Sequence, residues 1–475
     1  MKTLMQSRSM KVSFFVLLAV ILAGGFLFTS FEPTGKTKVL RKGPVQDHVI
    51  NASPNRPAIV PAAPPSGFTP QTRLGFDAGD QWEPAIASDR FGHVYMLYAQ
   101  YTGVPGCPAC SNPTQVVQIS NDHGRTWGSP SVIYPAGAIT GGQWDSQIVV
   151  DPVDGRTVYA SFMQNNKSDI IVAKSTDFGA TWSFVTADTT NAGTDKPILA
   201  VRGQDVYVVY THAQTTFAAY SHDGGATFTE STVSQGRKLG WALAGGGTVT
   251  PNGNVFFAWA GYERNGGATG NVNLYVSKST DGGATWSNTV VDISASPPDC
   301  SAFSCGWAYL GAQMVLTSDK DGTLYGLWNA GSAPKGPERI YFAKSTDDGE
   351  TWTTEEDVST APAGSHHAFP AIAAVGQGDV RISWMDARAA NGGQDKWNVY
   401  YRSSTNGGAT WSNEVDLSTY VAGDTYKTYI FPDGFRFPFG DYYEMAIDEQ
   451  GTTHLVFGEA YSYDSPGSIW YAKGK

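Results

Sequence analysis

The sequence predicts an all-β protein, a seven-bladed β-propeller of four-stranded antiparallel blades. Three observations lead to this fold class: an octapeptide that recurs six times, strand-like segments around each copy, and the composition. The 475 residues include 54 glycines, with 13% aromatic and only 16% charged residues. Such a composition suits many short strands joined by tight turns, and it argues against coiled coils and disordered chains.

The octapeptide has the pattern Ser-x-Asp/Asn-x-Gly-x-Thr-Trp/Phe. Its third position falls at residues 122, 177, 223, 281, 347 and 406. The repeat is therefore 46 to 66 residues long, which is typical of propellers and solenoids. We expect the Asp or Asn side chain to accept backbone N–H bonds within a turn, while the glycine supplies a positive φ.

Strand-like segments surround each octapeptide in a constant order. Two of them flank a turn, often Asp-x-x-Gly, as in 147–162 and 313–328. A third leads into the octapeptide, and a short fourth follows it, as in 411–418. Because alternating apolar residues around turn residues are typical of β-hairpins, each unit is expected to form one four-stranded blade.

Seven such units begin near residues 82, 144, 195, 241, 310, 367 and 440. The seventh has no octapeptide, since the segment 468–475 matches the third strand of the other units. We expect residues 70–76, upstream of the first unit, to supply the missing outer strand and so close the ring. Closure would remove exposed sheet edges, which promote aggregation. A six-bladed ring is the alternative architecture.

The first 67 residues differ from the repeats. Lys2, Arg8 and Lys11 precede an uncharged apolar segment, 12–28, which predicts that residues 1–30 are a signal peptide or a retained membrane anchor. Residues 31–67 are rich in proline and are interpreted as a linker. Either reading makes the propeller, residues 68–475, secreted or extracytoplasmic, with membrane contact only through 12–28 if the leader stays uncleaved.

The four cysteines form two close pairs, Cys107 with Cys110 and Cys300 with Cys305. In an exported protein they predict two local disulfides, and a four-cysteine zinc site is the alternative. A net charge of −11 repels phosphate backbones, so no nucleic-acid partner is expected. We expect a monomer without a cofactor, with structural calcium in an Asp-rich turn left open.

The octapeptides resemble the Asp boxes, or BNR repeats, of the sialidase superfamily, and the resemblance covers residues 70–475. It implies a β-propeller and a glycan or polysaccharide as partner. Sialidases of this superfamily hold the substrate carboxylate with three arginines and use a tyrosine nucleophile helped by a glutamate, with an aspartate as acid/base. At the place that matches the first arginine this sequence has Gln81-Trp82-Glu83-Pro84.

Candidate site residues are expected on the propeller face opposite the Asp boxes, around the ring axis. The candidates for catalysis are Tyr442, Tyr443, Glu459, Asp145 and Asp386. The candidates for substrate binding are Arg264, Arg388 and Arg436 as a carboxylate clamp, Trp144, Trp241 and Trp307 for stacking on sugars, and His366. Each has a structural alternative: Asp386 and Arg388 can pair with each other, and the aromatic residues can pack in the propeller.

Three functions remain open at this stage. The first is an exo-glycosidase of sialidase type acting on acidic sugars. The second is a non-catalytic propeller that binds a glycan or protein at the cell surface, and the third is a polysaccharide lyase that uses tyrosine and histidine. The repeats predict the fold and do not decide among these functions.

Overall fold

The computed structural model describes the chain from residue 64 onward, with gaps. The described ranges are 64–138, 141–188, 193–212, 215–235, 241–263, 270–298, 310–388, 397–418, 440–460 and 467–475. Regular secondary structure in these ranges consists of strands, and they hold no helix long and apolar enough to cross a bilayer. The predicted leader and most of the predicted linker lie outside the described residues.

The described strands form seven four-stranded antiparallel sheets, which confirms the predicted fold and excludes the six-bladed alternative. Blade one contains β2 (Asp80–Ser88), β3 (Val94–Tyr101), β4 (Thr114–Ser120) and β5 (Ser131–Val132). Blade two contains β6 (Trp144–Val150), β7 (Val158–Gln164), β8 (Asp169–Ser175) and β9 (Ser183–Asp188). Blade three contains β10 (Thr194–Arg202), β11 (Asp205–His212), β12 (Thr215–Ser221) and β13 (Thr229–Gln235). Blade four contains β14 (Trp241–Val249), β15 (Val255–Tyr262), β16 (Val272–Ser279) and β17 (Ser287–Ser294).

The remaining blades follow the same order from the axis outward. Blade five contains β18 (Met314–Ser318), β19 (Leu324–Gly331), β20 (Glu338–Ser345) and β21 (Glu356–Asp357). Blade six contains β22 (His367–Val375), β23 (Asp379–Asp386), β24 (Asn398–Ser404) and β25 (Val415–Asp416). Blade seven contains β26 (Glu444–Ile447), β27 (Thr453–Ala460), β28 (Gly467–Gly474) and, as its outer strand, β1 (Thr72–Leu74).

The N-terminal strand closes the ring as predicted. In β1, Thr72, Arg73 and Leu74 pair antiparallel with residues 471, 470 and 469 of β28. At the axis each inner strand contacts the next, and β26 of the last blade contacts β2 of the first. The seam between blades seven and one is therefore held both at the axis and at the outer edge.

The octapeptides form the turns that their sequence predicts. In blade four the carboxylate of Asp281 accepts hydrogen bonds from Thr285, 2.9 Å from its backbone N and 2.6 Å from its Oγ1. These bonds, the Thr285 hydroxyl first, lower the pKa of Asp281 to about 2. Gly283 has a φ of 91° and donates its N–H to Ser279 Oγ at 2.8 Å. The octapeptide therefore serves the fold, as an Asx-type turn with a glycine in the left-handed region.

The hydrophobic core lies between neighbouring blades, because alternate residues of each strand point to opposite faces of its sheet. One apolar cluster joins Ile86 and Val94 of blade one to Val456 and Ile469 of blade seven. Similar clusters join other neighbouring blades. Among the described residues, the largest fully buried side chains are those of Trp82, Trp259, Trp328, Trp384, Trp397 and Trp470. The polar side chains near the axis are not part of these apolar clusters, and they are therefore the candidates for a functional site.

One of the two predicted disulfides lies within the described residues. Cys107 and Cys110 are bonded, with their Cα atoms 5.4 Å apart, in the loop between β3 and β4. Cys300 and Cys305 lie outside the described residues.

Candidate functional site

The two faces of the propeller carry different chemistry. Asp boxes and the turns between the first and second strands lie on one face, here called the Asp-box face. The inner strands begin on the opposite face, here called the loop face, which also carries the loops between second and third strands. Every inner strand therefore starts near the axis on the loop face, where the sequence places the candidate site.

A β-bulge lies near the start of several inner strands. The register of β2, β6, β10 and β22 shifts there against the neighbouring strand. The bulges place four non-glycine residues at positive φ: Glu83 (53°), Asp145 (55°), Lys196 (52°) and Phe369 (55°). This conformation costs an L-residue about 1–2 kcal/mol, and such strain is found most often at functional sites.

Three of these bulge residues are charged, and they meet Asp441 from the start of blade seven. The backbone N–H of Lys196 donates to Asp145 Oδ2 at 3.0 Å, and its ammonium group contacts the carboxylate of Asp441. Glu83, Asp145 and Lys196 are each at most 6% exposed. We call Glu83, Asp145, Lys196 and Asp441 the charged cluster. It joins blades one, two, three and seven at the axis.

The buried surroundings of the charged cluster shift its pKa values. Burial raises the pKa of Glu83 well above its usual value, and the charges of Asp441 and Asp145 raise it further against the opposing effect of Lys196. Burial alone would lower the pKa of Lys196, but the charges of Asp441 and Asp145 outweigh that effect and raise it. Glu83 therefore favours its protonated form, while Lys196 stays charged. Glu83 Oε2 is buried and has no hydrogen-bond partner in the structure.

Of the two candidate tyrosines, Tyr442 lies beside the charged cluster and Tyr443 lies in the hydrophobic core. Tyr442 donates its hydroxyl to the carbonyl oxygen of Ser146 at 3.1 Å, and the Lys196 ammonium lies 4.1 Å from its ring centroid. Tyr443 is buried, with its hydroxyl 2.8 Å from Ser383 Oγ. Burial is the main cause that raises the pKa of both tyrosines, whereas a tyrosine nucleophile requires a lowered pKa or an adjacent base.

Next to the charged cluster, the axis of the ring holds a cavity of about 180 Å³ lined by all seven inner strands. Lys196, Tyr442 and Glu444 line it together with mostly apolar and glycine residues. The carboxylate of Glu444 accepts the N–H of Ile86 at 3.2 Å and also contacts the Gln147 amide. Burial raises the pKa of Glu444 to about 8 despite these hydrogen bonds. The cavity therefore combines apolar walls with a few converging polar groups, as ligand pockets do.

Asp386 and Arg388 form a separate charged group on blade six. Arg388 Nε lies 2.9 Å from Asp386 Oδ1, and Arg388 Nη2 lies 2.6 Å from Asp386 Oδ2. The same guanidinium contacts Glu414 and stacks 3.8 Å from the ring centroid of Tyr400. This is the mutual pairing that the sequence left as the alternative to a ligand role. Two carboxylates already neutralise Arg388.

The other candidates lie apart from the charged cluster or outside the described part of the chain. Glu459 is buried on β27, and Trp144 packs against the apolar clusters between blades. His366 is half-buried, while His367 is fully buried and bonds to Ser359 Oγ at 2.7 Å. Trp241 begins β14, but its side chain is not among those described. Arg264, Arg436 and Trp307 lie outside the described residues, so the complete clamp stays a prediction.

The sequence reasoning missed Glu83 and Lys196 as site residues. A signal was present in the chain. Inner strands one, two, three and six contain, at or near their starts, the triplets Trp-Glu-Pro, Trp-Asp-Ser, Asp-Lys-Pro and Ala-Phe-Pro, and the middle residue of each triplet is the one at positive φ. A charged residue before proline occurs at the same place in blades one and three, and this signal could have identified two of the four bulges.

Comparisons with known proteins agree with the fold. The BNR repeat-like domain family matches residues 70–309. A xyloglucanase from Paenibacillus sp is 26% identical over 371 residues, which are 73% of this chain but 28% of that relative. This chain therefore spans less than a third of the length of the curated relative.

Two solved structures illustrate the likeness. An ulvan lyase has a TM-score of 0.50 at 12% identity, with 84% of this chain and 95% of that chain covered. A Hadza microbial sialidase has a TM-score of 0.45 at 15% identity, with 83% of this chain and 66% of that chain covered. At such identities the likeness concerns the fold alone. Because the family match spans half of the chain, this protein belongs to the BNR repeat-like domain family.

Proposed function

We propose that the protein is a glycan-acting propeller, a glycoside hydrolase whose active centre is the charged cluster beside the axial cavity. One residue carries the proposal. Glu83 is held at a positive φ, it is buried with a raised pKa, and one of its carboxyl oxygens has no hydrogen-bond partner. Backbone strain and an unsatisfied buried oxygen each lower the stability of the folded protein. Residues that combine the two are typical of functional sites.

The charged cluster contains the two kinds of carboxyl group that glycoside hydrolysis uses. A protonated carboxylic acid gives its proton to the leaving oxygen, and a carboxylate acts as base or nucleophile. Glu83, whose raised pKa favours the protonated form, takes the role of the acid. Asp145, oriented by the N–H of Lys196, takes the role of the carboxylate. Lys196 also holds Asp441 next to both.

Charge pairing on the loop face favours a neutral glycan as substrate. Lys196 is paired with Asp441, and Lys167 lies 3.1 Å from Asp195. Arg388 is paired with Asp386 and Glu414. An acidic sugar would need a cation that is not already neutralised by a carboxylate; Arg264 and Arg436, the other members of the predicted clamp, lie outside the described residues. The xyloglucanase among the relatives is consistent with a glycan substrate.

The proposal includes export, because the predicted leader at residues 1–30 would place the propeller where extracellular glycans occur. N-terminal sequencing of the protein recovered from its native host tests this point. A mature N-terminus within or just after residues 23–30 is expected, and a cytoplasmic protein with an intact leader contradicts export.

The hydrolase proposal is tested by releasing reducing ends from a panel of polysaccharides. Purified protein is incubated with xyloglucan and other neutral glycans, and in parallel with sialosides and glucuronate-containing polymers. Loss of the general acid or of the catalytic carboxylate lowers the rate about 10²–10⁴-fold. Glu83→Gln and Asp145→Asn should therefore each lower kcat at least about 100-fold. Glu350→Gln, a matched change on the Asp-box face at a side chain that is 71% exposed, should keep the full rate.

The outcomes separate the proposed function from its three alternatives. Hydrolysis of neutral glycans that both variants abolish supports the proposal. New ultraviolet absorbance from an unsaturated uronate identifies a lyase, and turnover of sialosides alone identifies the sialidase type. Retention on a glycan array without any turnover identifies a binding platform. Wild-type rates in Glu83→Gln and Asp145→Asn contradict the assignment of the active centre even if hydrolysis is observed.

A further inference from the structure

The fourth position of the Asp box is a left-handed backbone position. It has a positive φ in all six boxes, and three of them carry glycine there. The other three carry His123, Phe178 and Asp348, at φ values of 59°, 63° and 62°. Each of these side chains reaches the turn between the first two strands of the preceding blade: Phe178 stacks on His93, and Asp348 binds Asn254. A non-glycine residue here therefore bridges two blades.

His123 bridges the seam where the ring closes. It belongs to the Asp box of blade one and faces Asp448 and Glu449 in the first turn of blade seven. His123 Nδ1 lies 3.5 Å from Asp448 Oδ2 and 3.4 Å from Glu449 Oε1, and it is buried without a hydrogen-bond partner. One ligand atom from each of the three residues falls within 4.8 Å of the others.

These distances fit metal ligands better than hydrogen bonds. An N–H···O hydrogen bond spans 2.7–3.2 Å, so both contacts of His123 Nδ1 are too long. Two ligands held about 2.0–2.2 Å from a tetrahedral zinc ion are themselves roughly 3.3–3.6 Å apart, which matches both contacts. An imidazole nitrogen with two carboxylate oxygens suits zinc and similar transition metals, whereas calcium and magnesium prefer sites made of oxygen alone.

A second layer of hydrogen bonds orients the ligands. Tyr471 Oη lies 2.7 Å from His454 Nδ1, and His454 Nε2 lies 3.1 Å from Asp448 Oδ2. The Asp448 carboxylate can only accept, so His454 Nε2 donates to it and His454 Nδ1 accepts from the Tyr471 hydroxyl. On the other side, the Gln450 amide nitrogen lies 3.0 Å from His123 Nε2. Metal binding through Nδ1 requires this amide to flip, so that its oxygen accepts the His123 Nε2 proton. Metal-binding histidines and carboxylates are commonly supported in this way.

We propose that His123, Asp448 and Glu449 form a structural site for a divalent transition metal of the zinc class, which fastens blade one to blade seven on the Asp-box face. The three side chains supply one nitrogen and two oxygen ligands. Glu449 is 30% exposed, so a water completes the coordination from the solvent side. The site is separate from the charged cluster, which lies on the opposite face.

Zinc binding to the full chain tests the site. The protein, prepared without an affinity tag, is stripped with a chelator and titrated with zinc chloride in a calorimeter. One equivalent should bind, and zinc at 100 times its Kd should raise the folding equilibrium constant about 100-fold, seen as a rise in Tm. His123→Gly, which introduces the residue that three other boxes carry and relieves strain, should lower zinc affinity at least tenfold without loss of fold. Glu449→Gln should weaken binding in the same direction.

A matched control and a metal comparison complete the experiment. His222→Gln changes a histidine of another Asp box, which lies 2.7 Å from Asp205 alone, and it should leave zinc binding unchanged. Calcium should neither bind at the site nor compete with zinc. Equal zinc binding by wild type and His123→Gly overturns the proposal, and so does binding that disappears only when cysteines are alkylated. Glycan hydrolysis is not a readout here, so this test stands apart from that of the active centre.

Discussion

Replacing Leu74 by alanine tests whether the N-terminal strand holds the ring shut. The Leu74 side chain is 4% exposed and belongs to the apolar cluster that also contains Val456, Ile469 and Tyr471 of blade seven and Ile86 of blade one. The change removes about three methylene equivalents of burial at ~0.8 kcal/mol each and leaves a partial cavity, so we expect a loss of about 3 kcal/mol in unfolding free energy. With about 2.1 cal/mol/K of unfolding entropy per residue over the propeller, Tm should fall by about 3–4 °C.

The assay compares thermal and urea unfolding of wild type, Leu74→Ala and Ile293→Ala. Ile293 lies on the outer strand β17 and is 56% exposed, so its truncation should change the unfolding free energy by less than about 0.5 kcal/mol. Circular dichroism and tryptophan fluorescence should report the same transition for each variant. If Leu74→Ala proves as mild as Ile293→Ala, the N-terminal strand is not part of the folded ring, and the closure argument fails.

Two further predictions concern backbone strain and pH. Gly124→Ala should lower the unfolding free energy by several kcal/mol, because Gly124 has a φ of 69° and a Cβ there would overlap the Tyr471 hydroxyl. Gly253→Ala should lower it by only about 1–2 kcal/mol through backbone strain, because Gly253 has a φ of 87° but open space around it. Equal urea midpoints for the two variants would refute the packing argument. Burial raises the pKa of Glu444 from its usual 4.5 to about 8. The neutral Glu444 side chain therefore contributes fully to the unfolding free energy below pH 4.5, and this contribution is lost as the pH rises through 8. The change amounts to up to about 5 kcal/mol. Glu444→Gln cannot ionise, so its unfolding free energy should fall less between pH 5 and pH 9, and parallel pH profiles for variant and wild type would show that Glu444 is not buried in its neutral form.

Only part of the candidate site could be predicted from the sequence. Local patterns placed Asp145, Tyr442 and Tyr443 on the loop face near the axis, and in the structure they lie at or just before the starts of β6 and β26. They did not reveal that Glu83 and Lys196 join them, because that depends on bulges whose positive φ turns each side chain toward the axis. Nor did they settle the role of Arg388, whose partner Glu414 is 26 residues away in sequence.

By itself, the sequence determined the all-β class, the number of blades and the source of the closing strand. Those properties follow from short-range signals, such as the Asp-box turn and the alternation within hairpins, which repeat with every unit and so reinforce one another. Only the tertiary structure decided which charges meet. Residues 83, 145, 196 and 441 lie in four different blades, and ring closure brings them together at the axis. Closure also buries the first three of them. Electrostatic coupling depends on distance in space and on the surrounding dielectric, and neither can be measured along the chain.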